Sequence, residues 1–285
     1  MALDSPEPLD WRRVARACAG ARLGHNIIYY PSIGSTNTAV RTLARAGAPD
    51  GTVLLADEQT QGRGRHGRRW TAPPCTGLAV SVLLRPAPDF PLYTLTMAAA
   101  LAACDAVRAL TGPCCTLKWP NDVLVDGAKA GGILLEIDEA GASWTVVIGI
   151  GLNVNAAPDL PGVRALSAAT GAPVAREPLL IELLERLEAY VTLAAYEPAT
   201  VRRLWRERLA TLGRPVRVQA PDGAFEGMAI DVDAEGALLV RGGDGAVRAV
   251  HAGDVTLSRW ALGVGRWAIG DGNTPPVSVK RLFVP

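Results

Sequence analysis

The spacing of apolar positions changes along the chain, and each change predicts a different kind of element. Residues 9 to 20 fit one short helix. In "GSTNTAVRTLARAG", Ser35, Thr36 or Asn37 can cap a helix that runs to about Ala46 and stops at Gly47, because their side-chain oxygens can accept from the free N–H groups of a first turn. "TVLLAD" at 52 to 57 reads as a buried strand and "TGLAVSVLLRP" as a second, closed by Pro86. "LYTLTMAAALAACDAVRAL" has the length and alanine content of a core helix ended by Thr111-Gly112. Three strand-like runs follow, "CTLKWP" with "NDVLVDG", "AKAGGILLEID" and "WTVVIGIGLNVN", and then two helical stretches at about 177 to 194 and 198 to 211.

After Leu212-Gly213 the pattern shifts to short β segments, "RPVRVQA", "FEGMAIDVD", "GALLVRG" and "AVRAVHAGDVTLS", separated by Pro-Asp-Gly, Ala-Glu-Gly and Gly-Gly-Asp-Gly turns. Short strands at regular spacing predict a small barrel or sandwich. The expected division is an N-terminal segment with a short helix (1–24), a large domain (25–211), a small β domain (212–258) and a tail (259–285) that keeps two tryptophans but shows no period.

Composition narrows what such a chain can do. With 285 residues, 49% of them apolar, it can bury one large core, or one large and one small. Lysines and arginines number 29 against 28 acids, which argues against coating nucleic acid or an anionic membrane through the overall field. Cys18, Cys75, Cys104, Cys114 and Cys115 form an odd set without CxxC spacing or a matching histidine cluster. They predict free buried thiols, with no metal held by cysteine or histidine. "MALDSPEPLDWRR" lacks an apolar signal core, and no apolar run reaches the roughly 18 residues needed to cross a bilayer. A cytoplasmic location is expected.

Against that neutral background, "QGRGRHGRRW" (Gln61 to Trp70) concentrates Arg63, Arg65, Arg68 and Arg69 among Gly62, Gly64 and Gly67 with no acid. Glycines let backbone approach a ligand closely, and guanidinium forks match carboxylate and phosphate. The plainer alternative is a solvated basic loop. Neither nucleotide fingerprint fits: GxxxxGK[ST] is absent, and "GRGRHG" reads as GxGxxG but no helix pattern follows.

Two further stretches carry candidate chemistry. In "KWPNDVLVDGAKAGG", Asp126-Gly127 is a two-residue hairpin signal that would pair Leu124 with Lys129 and Asp122 with Gly131. Asp122 and Lys129 would then share a face as diagonal neighbours with backbones about 7–8 Å apart. A surface ion pair, worth about 0–1 kcal/mol, is the alternative. "VVIGIGLNVN" ends an apolar strand on Asn153 and Asn155, which either bind something or start a turn.

Taken together, "GSTN", "EQTQGRGRHGRRW", "KWPNDV", "KAGGILLE" and "GIGLNVN", in this order, resemble the biotin protein ligases over roughly residues 25 to 258. The resemblance implies an α+β fold: a mixed-sheet catalytic domain related to class II aminoacyl-tRNA synthetases, followed by a small SH3-like β-barrel. It implies that biotin and MgATP react to biotinyl-5′-AMP and pyrophosphate, and that a lysine of a biotin carboxyl carrier protein then takes the biotin. Carried over by motif, Ser35, Thr36, Asn37, Gln59, Gly62, Arg63, Gly64, Arg65 and Lys129 would meet biotin. Arg63, Arg65, Arg68, Trp70, Lys118, Asn121 and Asn153 would meet ATP or the adenylate. Lys129, Arg65 and Asp122 would be catalytic, with Asp122 orienting or deprotonating the carrier lysine.

This chain departs from the resemblance at His66, where many members carry arginine. Some members also have an N-terminal DNA-binding domain, and the 24 residues before His25 are too few for one, so no specific DNA binding is expected. The state could be monomer or homodimer. A lipoate ligase would share the catalytic fold but carries an RRxxGGG-type loop absent here. A non-enzymatic RNA-binding module, with the arginines on phosphates and Trp70 or Trp119 stacked on bases, leaves the hairpin pair and the asparagines unexplained.

Overall fold

Strands β2 (Val53–Gln59), β3 (Leu78–Leu84) and β7 (Ser143–Leu152) are nearly continuous apolar runs because both of their faces are covered. Val53, Leu55, Val82, Leu84 and Ile148 point into one cluster with helix α3 (Tyr93–Thr111). Their alternates Leu54, Leu83 and Val147 join Val40 and Ala44 of helix α2 (Thr36–Arg45) on the opposite face. The computed structural model describes residues 6–112, 115–140, 143–220, 223–251 and 253–257. Cys114 and the tail from 258 onward lie outside them.

These strands belong to a seven-stranded sheet completed by β1 (Ile27–Ile33), β4 (Cys115–Lys118), β5 (Asp122–Val125) and β6 (Ala128–Ala140), in the order β1-β2-β3-β7-β6-β5-β4. Only β1 and β2 run parallel, so the sheet is mixed. Helices α3, α5 (Arg176–Tyr196) and α6 (Pro198–Glu207) pack together behind it. By length and composition α3 could cross a membrane, but thirteen of its residues are buried. Its apolar character belongs to this core.

A short helix α1 (Trp11–Ala17) precedes the sheet. The segment leading into it is held by a buried ion pair: Arg176 donates to Asp57 at 2.7 Å and to the Glu7 carbonyl at 2.5 Å. Asp57 also accepts from the Leu9 N–H and the Tyr29 hydroxyl. Burial and that hydrogen bond push the Tyr29 hydroxyl up to about 12.

A second sheet contains β8 (Pro215–Ala220), β9 (Gly223–Val232), β10 (Leu238–Gly242), β11 (Val247–Val250) and β12 (Asp254–Leu257), antiparallel throughout in the order β11-β10-β9-β8-β12. Trp119 fastens the two sheets together. Its indole N–H donates to the Gly236 carbonyl at 2.9 Å, and its backbone N–H to Thr211 Oγ1 at 2.9 Å.

Several elements differ from the sequence expectation. Strand β1 and the short helix α4 (Leu166–Thr170) were not legible, α6 stops at Glu207 instead of 211, and "AVRAVHAGDVTLS" makes two strands. "CTLKWP" and "NDVLVDG" pair with each other, because the chain reverses at residues 119–121. The β5–β6 hairpin turns at Asp126 (φ 49°) and Gly127 (φ 76°), as two-residue turns of this type require. Leu124 opposes Lys129 as expected, but a bulge past Val123 moves Asp122 opposite Gly132 and not Gly131.

Candidate active site

On the α2 face of the large sheet, three glycines leave the floor without side chains. Ser81 pairs with Gly149 and Leu134 with Gly149, while Gly151 pairs with Gly132 and Ala79. A Cβ at Gly149 would lie 2.3 Å from Asn37 Oδ1, and one at Gly151 would lie 2.5 Å from the Trp70 ring. Glycine here makes room for two of the expected ligand contacts, and the hollow above it has a volume of about 400 Å³.

One wall of this hollow is a nearly closed polar network. Ser35 caps α2, which puts Thr36 and Asn37 in its first turn, both almost fully buried. Gln59 Oε1 accepts from the Thr36 N–H at 2.8 Å and the Thr36 hydroxyl at 3.0 Å. Ser81 Oγ lies 2.8 Å from Thr36 Oγ1 and donates to Asn37 Oδ1 at 2.6 Å. Asn37 Nδ2 donates to Glu136 at 2.8 Å and to the Leu134 carbonyl at 3.3 Å. With its oxygen held inward, Gln59 turns its donating nitrogen outward, toward a ligand.

The arginine loop is itself a small closed structure. Trp70 N–H donates to the Gly62 carbonyl at 3.0 Å and Gly64 N–H to the Arg68 carbonyl at 2.7 Å, around a single 3₁₀ turn over Arg65–Gly67. A Cβ at Gly62 would strike the Trp70 carbonyl at 2.4 Å, so this glycine serves loop closure. His66 sits in the left-handed region (φ 55°), where histidine is enriched among non-glycine residues, and its side chain is exposed. Arg69 donates to the Thr60 carbonyl at 2.8 Å and braces the loop base. Arg63 pairs with Glu136 at 2.7 Å.

The opposite wall crowds like charges. Lys129 Nζ donates to Asp122 Oδ1 at 2.5 Å, and Lys118 Nζ lies 4.0 Å from Asp122 Oδ2. Arg65 Nη1 reaches Asn121 Oδ1 at 3.4 Å. Burial lowers the Lys118 ammonium below its ordinary value against the pull of Asp122, with Lys129 lowering it further. Burial likewise lowers Arg65. Six cationic side chains line the hollow, Arg63, Arg65, Arg68, Arg69, Lys118 and Lys129, against the single carboxylate of Asp122. The buried members of this set, Lys118 and Arg65, lose hydration that an arriving anion would restore.

Of the residues expected to meet biotin or ATP or to be catalytic, all but Gly62 and Asn153 line this hollow. The two asparagines separate cleanly. Asn155 exchanges hydrogen bonds with the backbone of Val174 (2.7 and 2.9 Å), so it ties two separate chain segments together and starts no turn. Asn153 is 1% exposed, and among the described residues its Oδ1 has no hydrogen-bond partner, which is rare for a buried polar atom. Sequence reasoning missed Ser81, Glu136 and the second-sheet contributors Gln219, Val255 and Thr256. It also gave no role to Gly149 and Gly151, although glycines inside an apolar strand are a recognised signal of close approach. Among the described residues no cluster of three or more His, Cys, Asp or Glu could hold a metal ion; Cys18 and Cys104 are buried free thiols, Cys115 is also buried, and Cys75 is half-buried.

A hydroxyl-and-amide wall facing a cationic wall across a glycine floor defines a protein that takes up an anion beside a neutral polar group. Comparison with known proteins is more specific. Residues 29–153 match the sequence model of the biotin/lipoate A/B protein ligase family, and residues 211–258 that of the biotin protein ligase C terminal domain. The biotin--[acetyl-CoA-carboxylase] ligase of Mycobacterium tuberculosis is 39% identical over 260 residues, spanning 87% of this chain and 95% of that protein. The bifunctional ligase/repressor BirA of Bacillus subtilis is 34% identical over 249 residues, spanning 82% of this chain and 75% of that one. The solved structure of the biotin protein ligase from Aquifex aeolicus in complex with biotin and ATP superposes with a TM-score of 0.71 at 28% identity, over 82% of this chain and 99% of the other. The chain belongs to the biotin/lipoate A/B protein ligase family, among its biotin protein ligases.

Proposed function

We propose that the protein is an ATP-dependent biotin protein ligase that joins biotin to one lysine of a biotin carboxyl carrier protein. The observation that carries this reading is the pairing of six cations and one carboxylate with a polar wall around one hollow. In the first step a biotin carboxylate oxygen attacks the α-phosphorus of MgATP, the bond to the β-phosphate oxygen breaks, and pyrophosphate leaves. In the second the carrier lysine nitrogen attacks the acyl carbon, the bond to AMP breaks, and AMP departs.

Residue roles follow from charge and reach. Ser35, Thr36, Asn37 and Gln59 receive the ureido ring, which presents donors and an acceptor, with the Gly62–Gly64 backbone alongside. Arg63, Arg65 and Lys129 border the carboxylate and α-phosphate, where fixed cations stabilise charge that develops in the transition state. Arg68, Lys118 and Asn121 serve the remaining phosphates. Trp70 flanks adenine and the partnerless oxygen of Asn153 accepts from it. Asp122, already paired with Lys129, orients the carrier lysine or takes its proton.

In this reading residues 25–211 form the catalytic domain, related to class II aminoacyl-tRNA synthetases, and 212–258 form an SH3-like barrel. The partner is a carboxylase carrier domain and the setting is the cytoplasm. The decisive assay incubates purified protein with MgATP, biotin and a carrier domain and weighs the carrier. A gain of one biotin on the carrier lysine is expected; labelling with lipoate in place of biotin would move the protein to the other branch of its family.

A further inference from the structure

Strand β6 places Gly132, Leu134, Glu136 and Asp138 on one face through its two-residue period. Gly132 and Leu134 line the hollow, whereas Glu136 stands just behind it. Its side chain is 19% exposed, and three donors converge on its carboxylate. Arg63 Nη2 reaches both oxygens, at 2.9 and 2.7 Å; Asn37 Nδ2 lies at 2.8 Å and Arg41 Nη1 at 3.5 Å.

Two of those donors line the hollow from different segments, Asn37 in the first turn of α2 and Arg63 in the arginine loop. Among the described residues, Glu136 is the carboxylate bonded to either. A carboxylate only accepts hydrogen bonds, so it fixes which way the Asn37 amide faces: nitrogen to Glu136, oxygen to Ser81. Among the described residues, Arg63 is tethered through Nη2 alone. Its Nη1 and Nε remain for a ligand.

We propose that Glu136 is a positioning residue for the activation step, holding Asn37 and Arg63 in one fixed relation so that the ring-binding wall and the anion-binding loop engage the same substrate molecule. This rests on reading the hollow as the biotin and ATP site. An internal control stands two residues further along the same face. Asp138 pairs with Arg41 at 2.6 Å and with Arg45, and among the described residues its carboxylate bonds to no side chain that lines the hollow. A contribution to stability alone belongs equally to Asp138; a contribution to substrate engagement belongs to Glu136.

The test is biotin-dependent pyrophosphate exchange into ATP, titrated with biotin, for wild type, Glu136→Gln, Glu136→Asp, Asp138→Asn, Arg63→Ala and the Glu136→Gln/Arg63→Ala pair, with thermal melts of each. Hydrogen bonds to charged groups set the scale: Glu136→Gln should raise the KM for biotin by about 10- to 150-fold. Glu136→Asp should lie between, and Asp138→Asn should lower the melting temperature while leaving that KM within about twofold. In the double variant the loss should fall clearly short of the product of the two single losses, because the part of the Glu136 effect that runs through Arg63 is already gone and only the part that runs through Asn37 remains. An unchanged KM in Glu136→Gln, multiplied losses in the double variant, or an equal rise in Asp138→Asn would overturn the proposal. If Glu136→Gln does not fold, Glu136→Asp decides, and a wild-type KM there counts against it. A wild type that exchanges pyrophosphate without biotin removes the reading of the whole site, and this proposal with it.

Discussion

The two walls of the hollow are built on opposite principles. Along α2, β2 and β3 the polar atoms of Thr36, Asn37, Gln59 and Ser81 bond chiefly to one another. Across the floor, Lys118, Lys129 and Arg65 share one carboxylate and one amide oxygen. A satisfied network is rigid, so it recognises a fixed pattern of donors and acceptors without rearranging. A wall with three cations to one carboxylate keeps a surplus of positive charge, which suits a group whose negative charge changes during reaction. In the proposed reading, shape recognition and chemistry fall to different sides of one cavity.

That division is broken most sharply at Lys129. Lys129→Ala removes the cation nearest Asp122 and should lower the rate of pyrophosphate exchange by about 10²- to 10³-fold, the scale for deleting one donor at a developing charge. Biotin affinity should change far less, since the ring-binding wall is untouched. Equal losses of binding and rate would show that the walls are not separate.

Arg65→Gly comes next. Arg65 links the loop to Asn121 at 3.4 Å, so its guanidinium can close over a mixed anhydride between the two steps. Losing a charged hydrogen bond of about 1.5–3 kcal/mol should speed escape of biotinyl-AMP by about 10- to 150-fold. Biotin appearing on lysines of an unrelated added protein, normalised to adenylate made, measures this. No rise per adenylate would leave Arg65 to catalysis or structure.

How much of this was readable in the sequence depends on whether a residue's role is local. The arginine loop, the Asp126-Gly127 turn and the Ser35 cap declare themselves because spacing within a few residues sets their geometry. Strand β1 did not, since "IIYYPSI" carries Pro31 and no clean alternation; proline is tolerated there because β1 is an edge. The hairpin register slipped by one at a bulge that no local signal marks. Ser81 and Glu136 were invisible for another reason. Each looks like an ordinary strand residue until β3, β7 and β6 align and bring α2 against them. Asn153 and Asn155 could not be told apart two residues from each other, because only the long-range bonds of Asn155 to the Val174 backbone separate them.

A smaller effect sharpens the polar side. Gly149→Ala forces a Cβ to within 2.3 Å of Asn37 Oδ1, and overpacking of this kind costs about 1–3 kcal/mol. The KM for biotin should rise by about 5- to 150-fold at that scale, while transfer from added biotinyl-AMP to the carrier, measured at saturation, should stay near wild type. Loss confined to the transfer step would place Asn37 on the wrong side of the comparison.

The smallest effect concerns what stands behind each wall. The polar wall is braced by its own network, but the corner that carries Asn121 and Asp122 is braced from the second sheet, through the Trp119 indole bond to Gly236 at 2.9 Å. Trp119→Phe keeps an aromatic ring in that corner, which is 2% exposed, and deletes the N–H. A neutral hydrogen bond contributes about 0.5–1.5 kcal/mol, so exchange and transfer rates should fall by about 2- to 10-fold. The KM for biotin should not move, because nothing in the polar wall bonds to Trp119. Steady-state titrations of biotin and ATP on the two proteins make the comparison. A rise in the biotin KM with an unchanged rate would mean that the second sheet supports both walls alike, and the difference between them would then lie in their charges alone.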